Sequence, residues 1–431
     1  MKYSIVTFGC RVNQADSLRI EEDLRAAGGV DVPSSDAELV IVNTCSVTAT
    51  ADQGARQTIR RIARENPRAK IVATGCYATR CEDEVAALPG VVRVVRNADK
   101  LEIVRAERRS PASERAGEFE GRSPSMEHDG PCGAPIEPGI AGRTAFTIRV
   151  QTGCEERCAY CIIPSTRGAS RSLPIADLVR DVARVADAGF KEVAVAGVHL
   201  GSYGRDLTPR TSLLDLLRAL DAIDRHVTYR ISSLEPMDCT PAVVDFVARS
   251  GRFMPHFHLP LQHASDRMLA SMRRPYTLAY YRRLVDGVHA RLPHASIGTD
   301  MIVGFPGETD DDFAANLDYL PSSPLTHLHV FPYSDRPGTE ASERSGKVHG
   351  SVVRDRGRQL RDISVGLIAR FRGSQIGTLR RALTLEDGTL VVTDNYLKVR
   401  IPPGLRRNVS VTVRLVSQGS EMRGEVVAPA D

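Results

Sequence analysis

The chain lacks any run of about 18 apolar residues, so no membrane-spanning helix is expected. Its opening, MKYSIVTFGC, holds one lysine and no long apolar core, which argues against a secretory signal. A strong charge of one sign is missing too. The chain has 57 Lys and Arg against 53 Asp and Glu, a formal net charge of +4. So close a balance does not by itself mark a nucleic-acid binder. Hydrophobic residues make up 42% and charged residues 26% of the 431 positions, as in ordinary globular proteins of two or three domains. The expected compartment is the cytoplasm. Thiols stay reduced there, so the nine cysteines read as metal ligands or core residues rather than disulfides. The most telling absence is local. The stretch QTGCEERCAYCIIPSTRG, residues 151–168, spaces Cys154, Cys158 and Cys161 as Cys-x3-Cys-x2-Cys and supplies no fourth cysteine.

What is present is an alternation of strand and helix. YSIVTFGC, ELVIVNTC and AKIVATGC are apolar runs ending at Cys10, Cys45 and Cys76. A helix with Ile20, Leu24 and Ala27 on one face follows the first, and a polar, Arg-rich helix follows the second. Near-continuous Val/Ile runs indicate parallel strands covered on both faces. Parallel strands share one carboxyl edge, where ligands bind. Three cysteines, each closing its own strand, are therefore expected to meet on that edge. Residues 106–142 are rich in Gly, Pro, Ser and charge, and read as a linker between an N-terminal domain (1–105) and a second domain. Cys132 falls in it.

From Thr144 the alternation resumes as six βα units, which predicts a partial (β/α)6 barrel over residues 143–370. Helices are expected over 174–188, 211–224, 240–250, 264–292 in two pieces, and 309–319. The strand ends carry Cys154, His199, Glu235, Gln262, Glu308 and Tyr333, and such ends are where barrels place their chemistry. After a helix over 354–370, residues 371–431 alternate in short runs with turn signals, as a small β-barrel does. Residues 372–431 carry nine Lys and Arg against six Asp and Glu. Such modules hold nucleic acid on one face or serve only for packing.

Thiolate sites with tight spacing suit zinc or iron–sulfur clusters. Structural zinc wants four protein ligands, which His199 could complete as a Cys3His site. The whole chain would then be a zinc-stabilised RNA-binding protein. A 4Fe–4S cubane on three cysteines instead leaves one iron open to an exogenous molecule. Cys81 lies just past Cys76 without closing a strand, and Cys239 follows SSLEPMD; both read as structural. His256, His258 and His263 around one strand read as packing rather than metal ligands. Arg167 reads either as an anion contact or as a solvated side chain.

The cysteine spacing, with Tyr160 before the third cysteine and the first barrel strand ahead of it, resembles the radical S-adenosylmethionine (SAM) superfamily. FGCRVNQADS, NTCSVT and GCYA resemble the N-terminal motifs of the methylthiotransferase family. CAYCIIPSTRG, HLPLQHASDRML, DMIVGFPGET and FPYSDRPGT resemble that family's barrel motifs, and the C-terminal module resembles its TRAM domain. The resemblance implies two 4Fe–4S clusters. One would be held by Cys10, Cys45 and Cys76 and would hold or donate sulfur. The other would be held by Cys154, Cys158 and Cys161 and would bind SAM, the source of both methyl group and radical. It implies SAM contacts around Tyr160, Gly197, His199, Glu235, Gly304 and Glu308. The partners implied are a tRNA anticodon stem-loop and an electron donor such as flavodoxin or ferredoxin, with no membrane. Within the family, Gly9-Cys10-Arg11-Val12-Asn13 and TDNYLKVRI resemble the branch that adds methylthio at C2 of threonylcarbamoyl-adenosine 37. The alternatives are the branches for isopentenyl-adenosine in tRNA and for an aspartate of a ribosomal protein.

Overall fold

A computed structural model gives the fold, and it describes residues 1–104, 138, 144–419 and 421–429. Most of the expected linker, with Cys132, lies outside the described residues. The chain forms two compact units. The first takes the N-terminal residues together with Thr152–Glu155 and Cys161–Ala169. The second takes Glu156–Tyr160, Ser170–Asp431 and the strand ahead of the cysteine loop.

In the first unit, β1 (Lys2–Thr7), β2 (Val30–Asp31), β3 (Leu39–Thr44), β4 (Lys70–Gly75) and β5 (Val91–Val95) form a parallel sheet in the order β2-β1-β3-β4-β5. Central β3, LVIVNT, is buried along its whole length, as an apolar strand covered on both faces must be. The helix Arg11–Ala26 lays Ile20 and Leu24 against one face. The helix Ala49–Glu65 lays Ala55, Ile59 and Ile62 against the other. Thr48 caps this second helix, its hydroxyl accepting from the Ala51 N–H at 3.2 Å. Three of these strands, β1, β3 and β4, are the apolar runs expected from the sequence. The structure adds edge strands β2 and β5, which are short, and β5 carries Arg93 in its middle.

In the second unit, β6 (Phe146–Arg149), β9 (Glu192–Ala196) and β10 (Thr228–Ile231) form one parallel sheet. Two-residue strands β7 (Gln151–Thr152) and β8 (Arg171–Ser172) lie between β6 and β9 in sequence. β11 (His256–His258), β12 (Ser296–Val303) and β13 (His327–Pro332) form another sheet, and an isolated parallel bridge pairs Tyr229 of β10 with Phe253, just ahead of β11. Six parallel strands in chain order make the expected partial barrel. The helices follow the expected segments: Ile175–Asp187, Leu213–Asp221, Pro241–Arg249, Asp266–Ser271, Leu278–Arg291 and Asp310–Tyr319. The helix expected over 354–370 is longer and runs Gly350–Gln375. β14 (Leu379–Leu385), β15 (Leu390–Thr393), β16 (Lys398–Arg400), β17 (Ser410–Gln418) and β18 (Glu421–Pro429) close a barrel in the order β14-β15-β16-β18-β17 around Val391, Val399, Val411, Val413 and Leu415. Among the described residues, no helix is long and apolar enough to cross a membrane.

Candidate cluster-binding site

The three N-terminal cysteines stand past the carboxyl ends of adjacent strands. Cys45 follows β3 directly and Cys76 follows β4 directly. Cys10 lies three residues beyond β1, at the cap position of the helix Arg11–Ala26, rather than closing the strand as expected. Cys10 is exposed, whereas Cys45 and Cys76 are buried. Glycines permit the approach. Gly9 has φ +86°, and a Cβ on it would fall 2.4 Å from the Cys45 sulfur. Gly75 has φ +101°, and a Cβ would fall 2.1 Å from the Thr44 carbonyl oxygen. No L side chain fits either place. Asn13 fixes the loops by donating to the carbonyls of Phe8 and Thr44, both at 2.9 Å.

Electrically the edge is uneven. Burial pushes the Cys45 thiol up to about 11. Burial also acts to raise Cys76, but Arg167, Lys100 and a bond from Asn97 outweigh it and hold the thiol below its usual range. Asn97 Nδ2 lies 3.6 Å from the Cys76 sulfur. Lys100 Nζ donates to Asp16 at 2.9 Å, and Arg167 Nη2 donates to Asp16 at 3.2 Å and Asn13 at 2.6 Å. The three charged side chains are 1–2% exposed. The Arg167 Nε–H is buried without a partner. Arg167, read as an anion contact or a solvated group, is thus a buried cation beside Cys76. Neither Lys100 nor Asn97 was visible in the sequence as a site residue, because both sit in a short polar turn, NADKLE, with no periodicity to mark them.

Around the second triad, Gly153 has φ +76°, and a Cβ there would overlap the Ala169 carbonyl at 1.9 Å. Cys154 N–H donates to the Gly168 carbonyl at 3.0 Å. In the second unit, Arg274 Nη1 reaches the Cys158 sulfur at 3.3 Å. Burial lowers the Arg274 guanidinium, but Tyr160, Glu235, Tyr276 and Cys158 reverse that and hold it firmly charged. Tyr160 packs beside Met268, Met272 and Phe305. Arg274 was missed because one arginine in MRRPY carries no spacing signal.

The other expected contacts divide. Gly197 sits where a Cβ would meet Leu200 at 2.6 Å. Gly304, at φ +77°, would meet Val353 at 2.4 Å. Both glycines are thus required by neighbouring side chains. His199 is buried and paired with Asp238 at 2.9 Å, so its ring is committed to the segment that follows β10. Glu235 bonds Arg274. Glu308 does not face outward as a cofactor contact would. Its carboxylate is fully buried, accepts from the Gly304 N–H, and meets His263 at 3.3 Å and Arg356 at 3.2 Å. Thr309 caps the helix that follows, in a capping box with Asp312. His256 stacks on Tyr396, His258 bonds Asp300 and Ser233, and His263 bonds Glu308 and Asn316, so these histidines serve three separate places. Cys239 is buried and pushed up to about 12 by burial, and Cys81, also raised by burial, packs on the sheet's core. Among the described residues, no three His, Cys, Asp or Glu converge on a single ion.

Comparison with known proteins completes the picture. Residues 2–96 match the profile of the uncharacterized protein family UPF0004, and residues 148–320 match the radical SAM superfamily. The solved structure of the radical SAM methyltransferase TsrM from Kitasatospora setae aligns with a TM-score of 0.56 at 16% identity, over 79% of this chain and 73% of that one. The fold is therefore that of a radical SAM enzyme. The threonylcarbamoyladenosine tRNA methylthiotransferase of Aquifex aeolicus is 34% identical over 93% of this chain and 96% of its own. That of Bacillus subtilis is 32% identical, over 91% and 88%. The tRNA-2-methylthio-N(6)-dimethylallyladenosine synthase of Corynebacterium glutamicum is 33% identical, over 90% and 75%. The chain belongs to the radical SAM tRNA methylthiotransferase family.

Proposed function

We propose that this protein inserts a methylthio group at C2 of threonylcarbamoyl-adenosine beside the anticodon of tRNA. The observation that carries the reading is full-length similarity to enzymes of that name, combined with three cysteines on one sheet edge. Cys10, Cys45 and Cys76 hold one 4Fe–4S cluster, and Cys154, Cys158 and Cys161 hold a second. Bound there, the clusters and SAM would supply the electron, the hydrogen-abstracting chemistry, the methyl group and sulfur. The chain's own residues prepare the sites. Cys45 and Cys76 are 4% and 3% exposed, so water is kept from their thiolates. Asn97 donates to the Cys76 sulfur and Arg274 to the Cys158 sulfur, favouring the anionic form a cluster needs. Glu235 and the Tyr276 ring fix Arg274 in place.

The modules divide as 1–105 for the first cluster, 143–370 for the radical chemistry and 371–431 for RNA, with a cytoplasmic location and a flavodoxin- or ferredoxin-type donor. The test is mass spectrometry of tRNA nucleosides from a strain lacking the gene. Loss of methylthio-threonylcarbamoyl-adenosine supports the substrate; unchanged levels of it overturn the substrate. Relatives in Corynebacterium named for dimethylallyladenosine motivate a second reading, in which methylthio-isopentenyl-adenosine is lost instead.

A further inference from the structure

The charges beneath Cys76 do not cancel. Lys100 and Arg167 bring two cationic side chains into an interior where both are 2% exposed, and both lean on one carboxylate, Asp16. Burial pulls the Lys100 ammonium below its ordinary range, and Asp16 and Cys76 oppose that pull, so an anion at this edge favours its charged form. Burying a net charge is costly unless something nearby compensates it. Asn13 is neutral and accepts from both cations, at 3.2 and 2.6 Å. The Nε–H of Arg167 still lacks an acceptor. Geometry ties the set to the cysteines: Asn97 Nδ2 donates to the Thr166 carbonyl at 2.9 Å and to the Cys76 sulfur at 3.6 Å, and Asn13, which accepts from both cations, donates to the Thr44 carbonyl beside Cys45 at 2.9 Å. Both cations favour the Cys76 thiolate. A second ion pair of this unit differs: half-buried Arg80 meets buried Asp52 at 2.6 Å, one cation to one carboxylate.

We propose that Lys100 and Arg167 are positioning residues that supply excess positive charge beside the N-terminal cluster and thereby set its reduction potential. This rests on the reading that Cys10, Cys45 and Cys76 hold a 4Fe–4S cubane. An oxidised cubane of two positive charges on three thiolates carries one net negative charge, matching the single excess positive charge of the Lys100–Asp16–Arg167 set. One-electron reduction adds a further negative charge inside the protein, and nearby cations favour that state. Asp16 orients the pair and moderates it, leaving one charge in excess instead of two.

The test uses the full chain carrying Cys154→Ala, Cys158→Ala and Cys161→Ala, so that only the N-terminal cluster is read. Its midpoint potential is followed by spin-resonance-monitored redox titration, alongside iron content. Arg167→Gln and Lys100→Gln should each keep the parent's iron and shift the midpoint to lower potential. Arg167→Lys, which keeps the charge, should stay near the parent. Asp16→Asn should shift the midpoint the other way, and that opposite sign cannot come from general loosening of the fold. Loaded variants whose midpoints do not move, or Asp16→Asn moving with Arg167→Gln, would overturn the inference. A parent with no iron–sulfur chromophore would overturn the cluster reading instead, so the two failures are distinct.

Discussion

At the scale of single residues, the cysteine edge depends on what its neighbours leave out. Gly9→Ala places a methyl 2.4 Å from the Cys45 sulfur at a φ of +86°. The expected outcome in the chain lacking the second triad is loss of most bound iron. Gly28→Ala is the control: its φ is +79° but nothing lies within 4 Å, so it should cost roughly 1–2 kcal/mol of stability and keep its iron. Equal iron in both would show that the close approach at Gly9 is not needed. His327 makes a prediction of another kind. Burial, then the neighbouring His329 and His258, hold its imidazole down at about 4. The unfolded chain has an ordinary imidazole near ~6.5, so between those values it binds more protons than the folded one. The stability is thus fully present above pH ~6.5 and is lost as pH falls toward about 4. Urea unfolding at pH 7 and pH 5 should show a drop that His327→Gln reduces; an unchanged drop would assign it to other groups.

At the scale of elements, Arg230 on β10 ties two modules of the second unit. Its guanidinium bonds Glu192 on β9 at 2.9 Å and the carbonyls of Thr393 and Asp394 at 2.7 and 2.8 Å. The Tyr396 ring stacks at 5.1 Å, and Arg230 is 1% exposed. Arg230→Met strips Glu192 of its cation inside the protein, which should cost roughly 3–5 kcal/mol. Adding Glu192→Gln should recover part of that loss in thermal or urea unfolding. A small loss for the single variant would mean the two modules are held by other contacts. This pair also marks where sequence reading stops. Strands such as LVIVNT and helices such as 241–249 announce themselves through apolar runs, caps and breakers, and they form where expected. That Cys45 and Cys76 directly follow adjacent parallel strands was legible for the same reason, since an apolar run and the residue after it are one-dimensional facts. Arg230 with Asp394, Arg167 with Asp16, and Arg274 with Cys158 are separated by 164, 151 and 116 positions. Each is an isolated charged residue in its own segment. Only folding reveals that it is buried and what it faces, and Glu308 likewise looks exposed in GFPGETDD until the loop turns its carboxylate inward.

At the scale of the whole molecule, the chemistry proposed requires that a large anionic substrate be gripped by something other than the cluster cysteines. The net charge of +4 is too small to do this without local concentration. The closed β-barrel offers such a concentration. Lys398 and Arg400 on β16 alternate with buried Val399 and so face outward, and Arg423 on β18 is the register partner of Arg400. All three are exposed, and Arg423 meets Glu421 at 3.5 Å, close to solvent. Exposed cations on adjacent strands suit phosphates, and each phosphate they neutralise releases counterions. Reversing them with Lys398→Glu, Arg400→Glu and Arg423→Glu removes nothing from the core around Val399, so the unfolding midpoint should change little. Binding of the tRNA measured across a salt series should weaken most at low salt. The slope of log affinity against log salt should fall by roughly 0.7–0.9 for each phosphate that is no longer neutralised. Unchanged affinity and slope with the fold intact would remove this face from the RNA surface and leave the β-barrel with a packing role, through Arg230 and its neighbours.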